Sequence, residues 1–473
     1  MTLLERIVVV GASQAGCGCA AELRRLGFEG SITVVGDESH LPYARPPLSK
    51  GVLIGAEPEE SVFLPVPEGV EMLRSIAATG LDASRHLDLL EDGSRLPYPY
   101  RRLREAGPVV YLERFDLFAV ARFAEVRHVL GNWESFSSAD VPLNRQFNEY
   151  MTASILRADP PQHDVLRGVL AEKLARPALR ALAAGIEQRA HEIVDGLVAK
   201  GSFDAVRNLA RRFPVEIVGD LIGLPAAGRE SLLPFLDISF NCFGPDNDRT
   251  RESLPQLGKL VDYVVANATR ETLAEGSMGR AVYDAADAGV ISPEHARALL
   301  MAYVTGGMDT TVHSLGHCVW LLGRHPEHWQ LLREDPALIP QAFREILRFE
   351  SPIQAFGRTV RSDWTVEDVT VPAGSRLAIL YGCANRDERN WPDADVFDIT
   401  RDNLEHLSFG YGLHGCAGQA LARLEGEAVL RALVDTVAQI KTGEPMRHYN
   451  NVLRGLESLP VTVVAAPPRP SQL

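Results

Sequence analysis

The chain has 473 residues, a hydrophobic fraction of 46% and a formal net charge of −14. This length predicts more than one domain, or one large domain with an appendage, built around a sizeable core. The acidic balance argues against nucleic acid and anionic membrane surfaces as partners, and the apolar runs are too short for a membrane span.

The first predicted element is a β-α-β unit. Residues 7–10 form a short apolar strand, residues 17–26 are expected to form a helix, and residues 32–35 form a second strand. A glycine-rich stretch, residues 11–16, joins the first strand to the helix, and Glu38 follows the second strand. This order of elements places a pyrophosphate on a helix N-terminus and an acid on a ribose.

The next segment, Leu41-Pro42-Tyr43-Ala44-Arg45-Pro46-Pro47-Leu48-Ser49-Lys50, resembles the Y-x-R-P-P-L-S-K segment of FAD-dependent ferredoxin reductases, and residues 89–98 resemble a hairpin of the same enzymes. After Tyr98, however, the second dinucleotide motif and the returning FAD segment of a complete reductase are missing. We therefore expect residues 1–96 to form a truncated Rossmann-like fragment with little or no FAD bound. The FAD contacts that the resemblance implies are Gly11, Ser13, Gly16, Glu38, Arg45 and Lys50.

A second domain is expected over residues 97–466, with no Gly/Ser/Pro linker before it and a disordered tail at 467–473. Its first motif is Asp159-Pro160-Pro161-Gln162-His163, followed by Arg167. His163 and Arg167 are four residues apart, so on a helix they present two donor groups on one face.

The second motif lies inside a long helix that starts with Ser292 as N-cap and Pro293 at the first helical position. Gly306 and Gly307 interrupt this helix, at a cost of about 1 kcal/mol each relative to alanine. They indicate either a close helix–helix crossing or a local groove for a small ligand. Asp309 and Thr310 follow directly, an acid that can relay protons beside an alcohol that can donate a hydrogen bond.

The third motif is the pair Glu345 and Arg348, which share a helix face at a spacing of three residues. The most informative motif follows it, Phe409-Gly410-Tyr411-Gly412-Leu413-His414-Gly415-Cys416-Ala417-Gly418, with an amphipathic helix predicted from Gln419 to about Val437. Cys416 lies at the start of that helix, where free N–H groups and the positive end of the dipole favour a thiolate. A thiolate on haem iron favours cleavage of the O–O bond of bound oxygen.

These four motifs, in this order, resemble those of the cytochromes P-450 from about residue 97 to residue 464. The resemblance implies a mainly α fold with small β-sheets, next to the partial α/β Rossmann-like fragment. It implies haem b with Cys416 as the iron ligand, proton delivery by Asp309 and Thr310, and Arg401 as a third partner of Glu345 and Arg348. The residues it places around the haem are His163, Arg167, Gly306, Gly307, Arg358, Phe409, His414, Cys416 and Gly418.

Within the family, residues 240–245, 348–352 and 450–460 resemble bacterial enzymes that oxidise para-substituted benzoates. The loop at residues 137–142 departs from them, because it carries Asp140 and no arginine for a substrate carboxylate. We therefore expect a small aromatic substrate rather than a benzoate, with Gly357 enlarging the cavity. Phe240 and Phe243 either sandwich the substrate ring or belong to the ordinary core packing. The expected pocket residues are Val141, Phe240, Phe243, Thr305, Gly357 and Leu453.

The expected function is that of a haem-thiolate monooxygenase that uses dioxygen, a ferredoxin and a ferredoxin reductase for hydroxylation or O-demethylation. Two alternatives stay open: a haem protein without turnover, damaged by the fusion, and a flavin-dependent ferredoxin reductase. The six cysteines show no zinc or disulfide spacing. Together with the missing leader and membrane span, they predict a soluble, cytoplasmic protein.

Overall fold

The computed structural model describes residues 6–10, 14–26, 28–35, 70–73, 97–171, 173–402 and 405–467. The chain divides into two compact units, Met1–Ala83 and Ser84–Leu473. Glu38, Arg45, Lys50, residues 89–96 and the tail from 468 onwards lie outside the described residues. Among the helices of the described ranges, none has the length and apolar content that crossing a membrane requires.

The first unit contains a parallel three-stranded sheet. Strands β1 (Arg6–Val10), β2 (Ser31–Val35) and β3 (Val70–Leu73) lie in the order β1-β2-β3, and helix α1 (Gln14–Arg25) connects the first two. The β-α-β unit predicted from the sequence is therefore confirmed, but its helix starts at Gln14. Gly16 accordingly lies inside the first turn of α1 rather than in the loop before it.

Most of the described residues of the second unit are helical. Its fold confirms the predicted class, mainly α with small β-sheets. The helices are α2 (Pro97–Ala106), α3 (Phe123–Gly131), α4 (Arg145–Tyr150), α5 (Gln162–Ala171), α6 (Arg176–Val198), α7 (Arg212–Ile222), α8 (Leu232–Phe243), α9 (Asp248–Ser253), α10 (Leu257–Asn267), α11 (Met278–Asp287), α12 (Pro293–Arg324), α13 (Pro326–Glu334), α14 (Ile339–Glu350), α15 (Tyr381–Ala384) and α16 (Gln419–Thr436).

The strands of the second unit form one mixed five-stranded sheet and three smaller sheets. The five-stranded sheet has the order β4-β5-β11-β8-β6, and the smaller ones pair β9 with β10, β13 with β14, and β12 with β15 and β7. The strands are β4 (Val109–Leu112), β5 (Leu117–Val120), β6 (Phe136–Ser137), β7 (Ser202–Asp204), β8 (Ala355–Val360), β9 (Trp364–Val366), β10 (Val369–Val371), β11 (Arg376–Leu380), β12 (Val437–Thr442), β13 (Met446–Tyr449), β14 (Arg454–Ser458) and β15 (Pro460–Ala465).

Helix α12 forms the centre of the larger core, where it packs against α7, α14 and α16. Its start agrees with the prediction, because the hydroxyl of Ser292 accepts a hydrogen bond from the N–H of His295 at 3.1 Å and Pro293 is the first helical residue. The predicted helix after the cysteine is also confirmed, as α16 begins at Gln419. These two helices bring the two glycine-rich motifs into the same core.

A buried ion pair connects α14 to the loop that precedes the cysteine. The guanidinium of Arg348 donates to both carboxylate oxygens of Glu345, at 2.7 and 2.8 Å, and both side chains are fully buried. Arg348 also donates to the carbonyls of Asn385 and Ala394, and Arg401 Nε lies 3.5 Å from Glu345 Oε1. The three charged residues named from the sequence thus lie together and tie α14 to the segment at 385–401.

Replacing Glu345 with alanine should destabilise the protein by about 3–5 kcal/mol, because it leaves the Arg348 charge buried without its carboxylate. The matched control is Asp248→Ala, which breaks an exposed pair of the same spacing with Arg251 and should cost less than about 1 kcal/mol. Urea unfolding followed by circular dichroism gives both values, and Glu345→Gln replaces the alanine variant if the latter does not accumulate. Equal losses at the two positions would contradict this account.

Candidate functional site

The cysteine loop is folded back onto helix α3 by two glycines with positive φ. Gly410 and Gly412 have φ of 69° and 68°, a region that glycine adopts without the steric cost of a side chain. A Cβ on Gly412 would collide with the carbonyl oxygen of Leu130, so the loop approaches α3 too closely for any other residue. The N–H of Cys416 donates to the carbonyl of Phe409 at 2.8 Å, which closes the loop over the cysteine.

The thiol of Cys416 experiences two opposed effects. Burial raises the pKa of the Cys416 thiol, while the N–H groups of Gly418 and Gln419 and the charges of Arg167 and Arg423 act to lower it. The donors expected at the helix start are therefore present and lower the pKa of the thiol as predicted, but desolvation outweighs them. A coordinating metal ion deprotonates such a thiol outright, so this donor arrangement fits a thiol that ligates a metal.

The four residues expected to hold the haem carboxylates lie together beside this loop. The rings of His163 and His414 are 4.6 Å apart, and Arg167 donates to the carbonyl of Gly415 at 2.8 Å. Burial, together with the charges of Arg358, His163 and Arg167, lowers the pKa of His414 to about 3. The cluster of His163, Arg167, Arg358 and His414 is thus a compact group of cationic and donor side chains.

The two arginines of this cluster lack a carboxylate partner among the described residues. No described carboxylate pairs with Arg167 or with Arg358, although Arg358 is only 5% exposed. Nε2 of His163 and Nε2 of His414 are buried without a hydrogen-bond partner; His163 uses its other ring nitrogen with Asp164. Because a buried charge without a partner is costly, the cluster fits an anionic group, and the two carboxylates of haem have the required charge.

The two glycines of α12 have different roles. A Cβ on Gly307 would lie 3.0 Å from Cγ1 of Val218, so this glycine permits the close crossing of α12 and α7. A Cβ on Gly306 would meet no atom within 4 Å, and Gly306 is exposed in the middle of a core helix. Both alternatives left open by the sequence therefore apply, one to each glycine, and only Gly306 borders open space for a ligand.

Asp309 and Thr310 lie one turn further along α12. Thr310 is half-buried, and its hydroxyl donates to the carbonyl of Gly306 at 3.0 Å. Asp309 is 5% exposed, and its Oδ2 has no hydrogen-bond partner. Burial raises the pKa of the Asp309 carboxyl to about 7, which is a suitable value for a group that must both take and release a proton at neutral pH.

The sequence did not reveal a group of titratable side chains that lies next to Asp309. Nε2 of His313, on the next turn of α12, lies 3.7 Å from Asp309 Oδ1, and the His313 ring stacks on His448 with a centroid distance of 4.8 Å. His448 in turn contacts Asp237 at 2.7 Å and Glu457 at 3.3 Å. Only the i, i+4 spacing of Asp309 and His313 was visible in the sequence, since the other residues belong to distant elements.

The expected pocket residues are for the most part packed against each other. Val141, Phe240, Phe243 and Leu453 share one buried apolar cluster, whereas Thr305 is half-buried next to Gly306. The rings of Phe240 and Phe243 are 6.0 Å apart and tilted by 35°. A ring held between two others needs about 7 Å, or two contacts of about 3.5 Å each. The expectation that these two phenylalanines sandwich the substrate is therefore wrong, and they instead form one apolar wall.

Gly357 also has a different role from the one expected. A Cβ on Gly357 would collide with the carbonyl oxygen of Asp140, and the N–H of Gly357 donates to the carbonyl of Val141 at 2.7 Å. Gly357 therefore admits the backbone of the neighbouring loop and does not enlarge the cavity. The Asp140 carboxylate accepts a hydrogen bond from Thr359 at 2.6 Å, and side-chain alternation along β8 places Thr359 on the face opposite Phe356.

The residues expected to contact FAD cannot be assembled into a site. Gly11, Ser13, Glu38, Arg45 and Lys50 lie outside the described residues. Gly16 lies in the first turn of α1, and nothing further is described around it.

Comparison with known proteins identifies relatives of both units. Residues 272–438 match the model of the cytochrome P-450 family, and residues 5–103 match the model of the pyridine nucleotide-disulphide oxidoreductases. Cytochrome P-450 CYP199A2 of Rhodopseudomonas palustris is 41% identical over 377 residues, which are 78% of this chain and 92% of that protein. The beta-dihydromenaquinone-9 omega-hydroxylase of Mycobacterium tuberculosis is 31% identical over 393 residues, which are 78% of this chain and 76% of that protein.

Solved structures show the same fold. The CalO2 structure superposes with a TM-score of 0.69 at 28% identity, covering 80% of this chain and 97% of its own. CYP109E1 of Bacillus megaterium in complex with testosterone has a TM-score of 0.71 at 24% identity, covering 79% of this chain and 99% of its own.

The two glycines of α12 provide a matched pair of variants. Gly307→Ala should destabilise the protein by about 1–3 kcal/mol, because its Cβ presses on Val218. Gly306→Ala should leave stability unchanged or raise it by up to about 1 kcal/mol through better helix propensity, while weakening the binding of a small iron ligand such as imidazole. Urea unfolding and imidazole titration distinguish the two, and a destabilised Gly306→Ala beside an unaffected Gly307→Ala would reverse the assignment.

Proposed function

The chain belongs to the cytochrome P-450 family of monooxygenases, and from this premise we propose that it oxidises a small aromatic compound with electrons supplied by a ferredoxin. The observation that supports the site assignment best is the cationic cluster of His163, Arg167, Arg358 and His414, which has donors for haem carboxylates beside the Cys416 loop. The reaction class is hydroxylation, or O-demethylation where the attacked carbon belongs to an aryl methyl ether.

The chain's own residues would hold the haem on three sides. Cys416 would ligate the iron, the cationic cluster would hold the carboxylates, and Gly306 would leave room for dioxygen above the ring. Bound haem supplies the oxidising chemistry, in which a thiolate ligand favours cleavage of the O–O bond. Phe409, in the half-buried part of the loop, and Gly418, whose Cβ would meet only Cys416 Sγ at 4.0 Å, would pack near the ligand atom.

Asp309 and Thr310 would deliver protons to this space. The carboxyl of Asp309 is buried and has a pKa near neutrality, so it can pass a proton onward and be recharged. The hydroxyl of Thr310 lies at the accessible side of α12, donates its proton to the carbonyl of Gly306, and keeps its lone pairs free to accept a proton donor in that space. We propose that Thr310 orients the proton and that Asp309 supplies it.

An apolar substrate with a small ring fits the walls of the pocket. Phe243 contacts Phe147 at 5.2 Å and Phe356 at 5.3 Å between ring centroids, so the wall is aromatic and closely packed. The buried cation next to Gly357, Arg358, is assigned to the haem carboxylates, and buried Arg376 donates to the carbonyls of Pro142 and Leu143. We therefore propose a neutral aromatic substrate, and O-demethylation of such a compound releases a phenol and formaldehyde.

We propose an external ferredoxin as the electron donor because two arginines lie against aromatic side chains of the cysteine loop. Tyr411, within the loop, is 41% exposed, and the Arg127 guanidinium lies 4.8 Å from the centre of its ring. The Arg423 guanidinium lies 5.3 Å from the ring of Phe409. Arginines stacked on the loop aromatics would offer an acidic ferredoxin a positive docking point on an otherwise acidic protein. A ferredoxin reductase would keep that ferredoxin reduced.

The cytoplasm is the proposed location. Cys242, Cys318 and Cys383 are free and buried, and Cys416 is free and half-buried; free thiols are typical of proteins in a reducing compartment. A reduced ferredoxin would be found in the same compartment.

A substrate series tests this proposal. The purified haem protein is combined with a ferredoxin, its reductase and NADPH, and offered 4-methoxytoluene or 4-methoxybenzoate, which share the same ether. We expect the neutral compound to shift the iron toward high spin and to release formaldehyde, with a weaker response to the carboxylate. Preference for the carboxylate would overturn the neutral substrate class, and the absence of any turnover with either compound would favour a haem protein without oxygenase activity.

Thr310→Ala should leave the binding of an accepted substrate intact and divert reducing equivalents to hydrogen peroxide, because the proton would no longer be oriented. Positioned proton-transfer groups contribute about 10²- to 10⁴-fold in rate, so product formed per NADPH should fall markedly. The matched control is Thr311→Ala, whose buried hydroxyl makes the same kind of bond to the carbonyl of Gly307 on another face of the helix. Equal coupling in both variants and in the wild type would remove the role given to Thr310.

A further inference from the structure

Behind Asp309, a buried histidine is held between two carboxylates from two different elements. His448 on β13 is largely buried, with 13% of its side chain exposed. Its Nε2 lies 2.7 Å from Oδ1 of Asp237 on α8, and its Nδ1 lies 3.3 Å from Oε2 of Glu457 on β14. With an acceptor at each ring nitrogen, His448 has both protons bonded only in its imidazolium form.

His313 lies between this histidine and Asp309. Its ring stacks on His448 at 4.8 Å and an interplanar angle of 30°, and its Nε2 faces Asp309 Oδ1 at 3.7 Å. The hairpin is shaped to admit it: Gly455 is the register partner of His448, and a Cβ at position 455 would occupy the place of the His313 ring. The three residues His448, His313 and Asp309 therefore form one contiguous buried stack.

The charges along this stack differ. Burial acts to lower the pKa of His448, but the hydrogen bonds with Asp237 and Glu457 raise it to about 10. Burial and the charge of His448 lower the pKa of His313 well below its usual value. The stack thus consists of a fixed positive charge, a neutral ring and the carboxyl of Asp309, whose raised pKa would be higher still without the charge of His448.

The other charged groups around Asp309 come from α8, the β13–β14 hairpin and the residue that precedes α7. The negative ones are Asp237 on α8 and Glu457 on β14, and the positive ones are His448 on β13 and Arg211, which precedes α7 and donates to Glu457 at 2.7 Å. His313 and His317 on α12 are neutral at pH 7 because burial lowers the pKa of each. Two positive and two negative charges balance, so the loss of His448 alone leaves a net negative charge facing Asp309.

We propose that His448 is a positioning residue for proton delivery: clamped as an imidazolium by Asp237 and Glu457, it acts across the neutral ring of His313 to keep Asp309 able to both hold and release its proton. The proposal rests on the role proposed for Asp309 and deepens it. Asp237 belongs to α8, the helix that carries Phe240 and Phe243. The contact between α8 and the β13–β14 hairpin would therefore link the pocket wall to proton delivery.

Infrared difference spectroscopy on the resting haem protein tests the proposal directly. The carbonyl stretch of protonated Asp309, identified by its loss in Asp309→Asn, is followed against pH. His448→Gln removes the positive charge and should raise the midpoint of Asp309 by about one pH unit or more, whereas His448→Arg should restore it. A midpoint that stays in place in His448→Gln would overturn the proposal, since a merely structural histidine would not move it in a charge-dependent way.

A surface histidine provides the control. His191 on α6 is 36% exposed and lies 3.8 Å from Asp435, so His191→Gln removes a histidine near an acid without touching the stack and should leave the Asp309 midpoint unchanged. An equal shift in this variant would show that the effect is not specific to His448 and would overturn the proposal.

A measurement without any variant covers the case in which His448→Gln does not fold. Nitrogen-15 NMR of histidine-labelled protein should show one imidazolium that keeps both protons above pH 9, and a His448 that titrates below pH 7 would contradict the proposal. Neither measurement requires turnover. A failure of the proposed oxygenase function would therefore appear as absent product while the Asp309 midpoint still shifts in His448→Gln, and a failure of the His448 role as an unshifted midpoint beside normal product.

Discussion

Unmatched positive charge near the cysteine loop is the constraint on which the rest of the site depends. Arg358 is almost fully buried, and its Nη1 bonds to the carbonyl of Gly357 while no described carboxylate pairs with it. A second arginine and two histidines with unpartnered nitrogens lie beside it. A folded protein tolerates such a cluster only if an anion completes it, and the anion must lie next to Cys416. Haem with its two carboxylates meets both requirements.

Another buried arginine, a short distance along the chain, has its charge neutralised within the protein. Arg348 is fully buried, but Glu345 neutralises it through two hydrogen bonds and backbone carbonyls take its remaining donors. The contrast indicates that the cationic cluster is not a consequence of poor packing. One buried arginine is matched within the protein and holds the loop region in place, and the other is left for a ligand.

Much of this arrangement could be predicted from the sequence because it depends on local spacing. The N-cap at Ser292, the helix that begins at Gln419 and the Glu345–Arg348 pair all involve residues within a few positions of each other. The features that could not be predicted depend on contacts between distant elements. The sequence cannot show that Val218 lies against Gly307 or that the Asp140 carbonyl fills the space beside Gly357.

The residues behind Asp309 illustrate the same limit. His313 and His448 meet only because a β-hairpin near the C-terminus packs on α12, with Gly455 making room for the ring. Likewise, a helix start was expected to favour the Cys416 thiolate, but the burial that opposes it comes from the tertiary fold. Local chemistry thus identified the reactive residues, and the fold determined their charge.

The central claim is that Cys416 ligates haem iron through its sulfur, and the ferrous–carbon monoxide difference spectrum tests it most directly. The wild-type protein should show the strongly red-shifted Soret band of a thiolate-ligated carbonyl complex. Cys416→Ser, which keeps the size of the side chain and removes the sulfur, should lose that band. Persistence of the band in Cys416→Ser would contradict the assignment.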